Sequence, residues 1–122
     1  MILVDSSVWI DHLRREEPEL SSLLGAQQVL THPFIIGEIA LGSLRQRTLI
    51  VSDLRNLPAA VEAGDDEVLA LIEGQSLHGR GIGYIDVHLL AATLLTPGTK
   101  LWTRDRRLRD AAQDLGLAAI HS

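Results

Sequence analysis

The β-type runs of this chain never adjoin. Ile2-Leu3-Val4, Gln28-Val29-Leu30-Thr31, Leu101-Trp102-Thr103 and Leu117 to Ile120 are each parted from the next by segments of helical character, and no hairpin signal joins any two of them. Strands separated in this way pair in parallel through crossover helices, so the chain reads as an α/β sandwich. The helical segments are marked by their own punctuation. Ser6-Ser7 caps one that carries Val8, Trp9 and Leu13; Pro18 opens another that ends near Gly25; Pro33 opens a third, running to about Leu44. A polar stretch from about Arg45 to Leu54 is broken by Asn56-Leu57-Pro58, and Asp65-Asp66 starts a helix that reaches about Gly79. Ile85 to Leu95 is helical and ended by Pro97-Gly98, and Arg106 to Leu115 is closed by Gly116.

With 122 residues and neither linker nor repeat, the chain is expected to form one domain spanning 1–122. Its hydrophobic fraction of 46% against 22% charged residues is globular and excludes disorder. The absence of cysteine removes disulfides, zinc ribbons and thiol nucleophiles. The start lacks a basic leader segment and no apolar run reaches 18 residues, so a soluble, cytoplasmic protein with no membrane partner is expected.

Most of the acids sit in polar company, but four do not. Asp5 follows three apolar residues at the end of the first strand; Glu38 has Phe34, Ile35, Leu41 and Gly42 as its helical neighbours and reads as standing in an apolar stripe. Asp86 lies below Leu89 and Leu90, and Asp105 heads the line Leu108, Ala112, Leu115. In a parallel sheet the strand ends and the starts of the following helices share one edge, where ligands bind. Two carboxylates about 4 Å apart repel by roughly 4 kcal/mol at an effective dielectric near 20, so a group of four would call for a cation. An oxygen-only donor set selects Mg²⁺ or Mn²⁺. Taken singly, Asp5, Asp86 and Asp105 each read equally as helix N-caps, and Glu38 as half of a buried ion pair.

Val4-Asp5-Ser6-Ser7, the stretch from Pro33 to Gly42 around Glu38, the stretch from Gly81 to Ala92 around Asp86, and Leu101-Trp102-Thr103-Arg104-Asp105 closely resemble the four acidic motifs of PIN-domain ribonucleases. More narrowly, they resemble the VapC-type toxins of bacterial toxin–antitoxin pairs, in order and over the whole chain. The resemblance implies a single PIN-like domain with a central parallel sheet of four to five strands flanked by helices. It implies a Mg²⁺- or Mn²⁺-dependent endoribonuclease that is dimeric and held inactive by a cognate VapB-type antitoxin. Asp5, Glu38, Asp86 and Asp105 would be its catalytic and metal-binding quartet, with the hydroxyls of Ser6 and Thr103 orienting carboxylates or water. Arg106 and Arg107 stand where some PIN domains carry a further acid, which leaves one or two metal ions open.

The net charge of −5 argues against a polyanionic substrate, but two divalent ions would bring it to −1. Arg104, Arg106 and Arg107 surround Asp105, and Arg45 and Arg47 follow the Glu38 helix; as a group they read as positioning RNA phosphates, although each alone reads as solvated surface. His88, two residues from Asp86, faces away from it as a surface or core histidine, and Trp9 and Trp102 read as core. A receiver-type phosphoacceptor would need a lysine at the pocket end of a late strand, whereas Lys100 begins its strand at the opposite end. The alternative function is a catalytically inactive PIN-like module that binds RNA or protein.

Overall fold

The computed structural model describes residues 1–120. Its parallel sheet has the order β2-β1-β3, with β1 (Ile2–Val4) at the centre, β2 (Val29–Leu30) on one side and β3 (Lys100–Trp102) on the other. The expected alternation is therefore present, but the sheet is narrower than the four to five strands expected. Beyond β2 the pairing is reduced to one bridge between Thr31 and Ala59, and beyond β3 to one bridge between Leu101 and Ala118. On the first edge Thr31 N–H donates to Pro58 O and Ala60 N–H donates to Thr31 O, both at 2.9 Å, and Pro58 has no amide to extend the ladder. On the second, the expected strand from Leu117 to Ile120 exchanges bonds with Leu101: its N–H donates to Leu117 O at 2.7 Å and its carbonyl accepts the Ala119 N–H at 2.9 Å, while Ile120 is exposed.

Helices cover the sheet: α1 (Ser6–Arg14), α2 (Pro18–Gly25), α3 (Pro33–Ala40), α4 (Arg47–Arg55), α5 (Asp65–Gly74), α6 (Tyr84–Leu95) and α7 (Arg106–Asp114). Pro18 and Pro33 occupy first helical positions, where a missing amide costs nothing. Glu67 Oε1 accepts the Gly64 N–H at 2.9 Å, closing the start of α5. α3 stops four residues short of the expected end, because Gly42 N–H turns back to Ile39 O and Gln46 adopts a left-handed conformation at φ 53°. α5 likewise ends at Gly74, ahead of left-handed Ser76.

The core gathers Leu3 and Val4 from β1, Leu101 and Trp102 from β3, and Val87 and Leu89 to Ala92 from α6, all buried. α6 is the most enclosed helix, which its lack of a polar face already implies. Each leucine or valine so enclosed contributes about 1.5–3 kcal/mol. Trp9 is buried, as expected, and so is Trp102. Among the described residues no helix is long and apolar enough to cross a membrane.

Candidate active site

β1 and β3 run in register, Val4 beside Trp102, so the residues that follow them emerge together at the carboxyl edge of the sheet. From β1 the chain passes to β2 on one side, and it later returns to β3 on the other, so this edge is the switch point where parallel sheets open a crevice. Asp5 N–H donates to Trp102 O at 2.9 Å, and its buried side chain lies against the chain leaving β3. Thr103 Oγ1 donates to Asp5 Oδ2 at 2.7 Å and accepts the Asp105 N–H at 3.1 Å. Ser7 Oγ donates to the same Oδ2 at 2.9 Å and accepts the Arg104 N–H at 3.0 Å. Two hydroxyls thus relay backbone amides of the β3–α7 connection onto one carboxylate oxygen. The other, Oδ1, meets only the Ser6 hydroxyl, at 3.5 Å.

Ser7 was not among the hydroxyls singled out from sequence, and it holds Asp5 more closely than Ser6 does. The available signal was its place two residues beyond Asp5, where a helix start turns the side chain back to the strand end.

The N-cap alternatives divide. Asp5 stands at the N-cap of α1 without a capping bond, and Asp86 lies inside the first turn of α6, whose N-cap is Gly83. Asp105 does cap α7: its Oδ1 accepts the amides of Arg107 at 3.0 Å and Leu108 at 3.1 Å, while among the described residues nothing donates to Oδ2. Glu38 differs from its expected setting. The buried face of α3 is Ile35 and Ile39, Leu41 is 89% exposed, and Glu38 flanks the core on an open side. The residues at i+3 and i+4 lie beyond the helix end, so no closed apolar stripe forms.

The acids feel one another. Asp86 is pushed up from 3.8 to about 6, by burial first and then by the charges of Asp5, Asp105 and Glu38. Glu38 is also raised, by burial and by Asp5, while the Ser6 hydroxyl pulls it the other way. Among the described residues no arginine pairs with either carboxyl, so Glu38 is not half of a buried ion pair. Among the described residues no three His, Asp or Glu side chains form a compact metal-binding group. The donor set is nevertheless all oxygen, and Mg²⁺ keeps several of its own waters, so a spaced set of carboxylates fits that ion in kind.

The arginines do not act alike. Arg104 lies across the surface on Asp11 and Glu17, with Nη2 to Glu17 Oε2 at 2.6 Å, turned to α1 and α2 instead of the acids. Arg47 Nε donates to Ala40 O and braces the end of α3. Arg107 packs over Gly81, which has φ +74°, and a Cβ there would stand 2.5 Å from Arg107 Nη1. Arg106 and Arg45 are exposed and make no ion pair among the described residues. His88 is buried, as one of its two expected settings had it, with Nε2 3.3 Å from Asp65 Oδ1 and its ring against Phe34 and Tyr84. Lys100 Nζ donates to Gly116 O at 2.6 Å, beside the start of β3 and away from the acids.

Comparison with known proteins agrees with this architecture. The PIN-domain family model matches residues 2–114. The chain is 46% identical to Ribonuclease VapC32 of two Mycobacterium tuberculosis strains over 118 residues, covering 97% of this chain and 95% of each relative. A shorter likeness, 36% over 81 residues, to a hydroxyethylthiazole kinase of Yersinia enterocolitica covers only 30% of that protein and carries no functional argument. With strand order, acid placement and full-length similarity in agreement, the chain belongs to the PIN-domain family.

Proposed function

We propose that this protein is a Mg²⁺- or Mn²⁺-dependent endoribonuclease, the toxin of a VapBC-type pair, acting in the cytoplasm as a homodimer restrained by a VapB-type antitoxin. What supports the reading is that Asp5 and Asp105 follow neighbouring parallel strands at one sheet edge, and that the charges of Asp5, Asp105 and Glu38 all raise Asp86. Similarity to a ribonuclease over nearly the full length supports the choice of RNA.

Such a group is costly unless a cation completes it. A bound divalent ion would supply a water of lowered pKa and would neutralise charge on the leaving oxygen. Asp5 Oδ1, met at 3.5 Å by the Ser6 hydroxyl, and Asp105 Oδ2, together with Asp86 and Glu38, would hold it. The Ser7 and Thr103 hydroxyls fix the rotation of Asp5, so its Oδ1 is aimed before any ligand arrives. Hydrolysis at such a site would need no covalent enzyme intermediate: a water would add to phosphorus as the leaving oxygen departs, with the carboxylates or solvent available to take the water's proton.

The test is incubation of antitoxin-free protein with total RNA, with Mg²⁺, with Mn²⁺ and with chelator. Cleavage that needs the cation and disappears in Asp5→Asn and Asp86→Asn is expected. Metal-independent cleavage, or none in protein shown to be folded and free of partner, would leave the inactive binding module as the better reading.

A further inference from the structure

Beside Glu38, residues of α1, α3 and the α3–α4 connection line a cleft of about 630 Å³. Its floor is apolar, with Ile10, Leu13 and Leu44 among the side chains, and two arginines, Arg14 and Arg45, stand at its walls. Neither makes an ion pair among the described residues, in contrast to Arg104 and Arg80, whose guanidinium groups are matched to carboxylates. Glu38 lines the cleft and also feels the charge of Asp5, so the cleft adjoins the acids.

We propose that the Arg14–Arg45 cleft is a nucleotide subsite, which seats one unpaired nucleotide of the RNA beside the scissile bond. This rests on the ribonuclease reading of the acids. Two unmatched guanidinium groups complement a phosphodiester, and the aliphatic floor gives a base an apolar face to lie on. The room is that of a small-ligand pocket. A divalent ion at the acids fixes the cleaved phosphate, and the cleft fixes the neighbouring residue of the strand. Arg14 was not singled out from sequence; it stands in the last turn of α1, where a cation also suits the helix dipole.

The experiment measures equilibrium binding of fluorescein-labelled single-stranded RNA, 4 to 12 nucleotides long, with Mg²⁺ present and Asp86→Asn as the background so that the probe survives. In that background Arg14→Ala and Arg45→Ala are compared singly and together, with Arg55→Ala as a surface control. The double variant should bind roughly tenfold more weakly at physiological salt, and the slope of log K against log salt should fall by about 0.7 for each arginine removed. Affinity should drop when the probe becomes too short to reach the cleft, and the double variant should lack that step. Thermal unfolding checks that the variants remain folded. Unchanged affinity, slope and length dependence in the double variant overturns the subsite. Loss of a copurifying protein with RNA binding intact assigns the cleft to a protein partner and also overturns it. Cleavage by the parent is scored in parallel: a parent that cleaves while the arginines prove indifferent sinks the subsite alone. A non-cleaving parent whose RNA binding depends on Arg14 and Arg45 sinks the nuclease reading alone, and protein that neither binds nor cleaves RNA sinks both.

Discussion

Replacing Asp86 by asparagine should make the metal-free protein more stable at neutral pH, although the same change is expected to abolish cleavage. The carboxyl is raised from 3.8 to about 6 in the folded chain, so folding works against its ionised form. At about 1.36 kcal/mol per tenfold change in ionisation constant, that rise corresponds to roughly 3 kcal/mol. Asp86 is only half-buried, and solvent screening reduces the figure to about 1.5 kcal/mol. A negative charge in the first turn of α6 is itself favourable by about 0.5 kcal/mol, which asparagine gives up. The net gain is about 1 kcal/mol, or roughly 4 °C in Tm for a domain of this size. The sign follows from proton counting. Between the unfolded and folded pKa the folded state binds more protons, so parent stability falls as pH rises from about 4 through 6. Thermal unfolding in chelator from pH 4 to 8 should therefore show the variant overtaking the parent across that window, with the gap constant above it. Mg²⁺ should then raise the parent's Tm more than the variant's. A variant less stable than the parent at every pH, or a gap without pH dependence, would refute the claim that the acids repel one another.

Other residues separate structural from chemical roles. Ser7→Ala removes two hydrogen bonds around Asp5 and should cost about 1–2 kcal/mol in chemical denaturation while lowering the cleavage rate; full activity would show that Asp5 needs no such bracing. Asp105→Ala should lose about 1 kcal/mol of α7 capping that Asp105→Asn keeps, with cleavage lost in both, as read by urea unfolding and RNA assay side by side. Gly81→Ala should destabilise by at least about 1 kcal/mol, because φ is +74° and the added carbon meets Arg107; an unchanged Tm would mean the guanidinium moves aside freely. Arg104→Ala should reduce stability by about 0.5–1 kcal/mol at low salt and less at high salt, without altering the salt slope of RNA binding.

The parallel α/β plan was legible because each β-type run is isolated by a helix with its own start and stop residues. The acids at strand ends were legible for the same reason: once strands are parallel, Asp5 and Asp105 share an edge whatever the remaining details. What resisted reading depends on distance in space. Whether Leu117 to Ile120 makes a ladder or one bridge is decided by where α7 releases the chain. Glu38 was misjudged because its apolar neighbours were counted past the end of α3. Arg104 sits beside Asp105 in sequence, yet its long side chain reaches Asp11 and Glu17, carboxylates brought near only by the packing of α1 and α2 against the β3–α7 connection.

The central strand carries a last consequence. β1 precedes its partner β3 by about a hundred residues, and Asp5 lacks its Thr103 brace until that segment has been synthesised. A partly translated chain therefore holds its acids apart, on segments with no closed sheet to align them. Whatever chemistry the assembled group performs cannot begin before the segment through Asp105 has been made and paired.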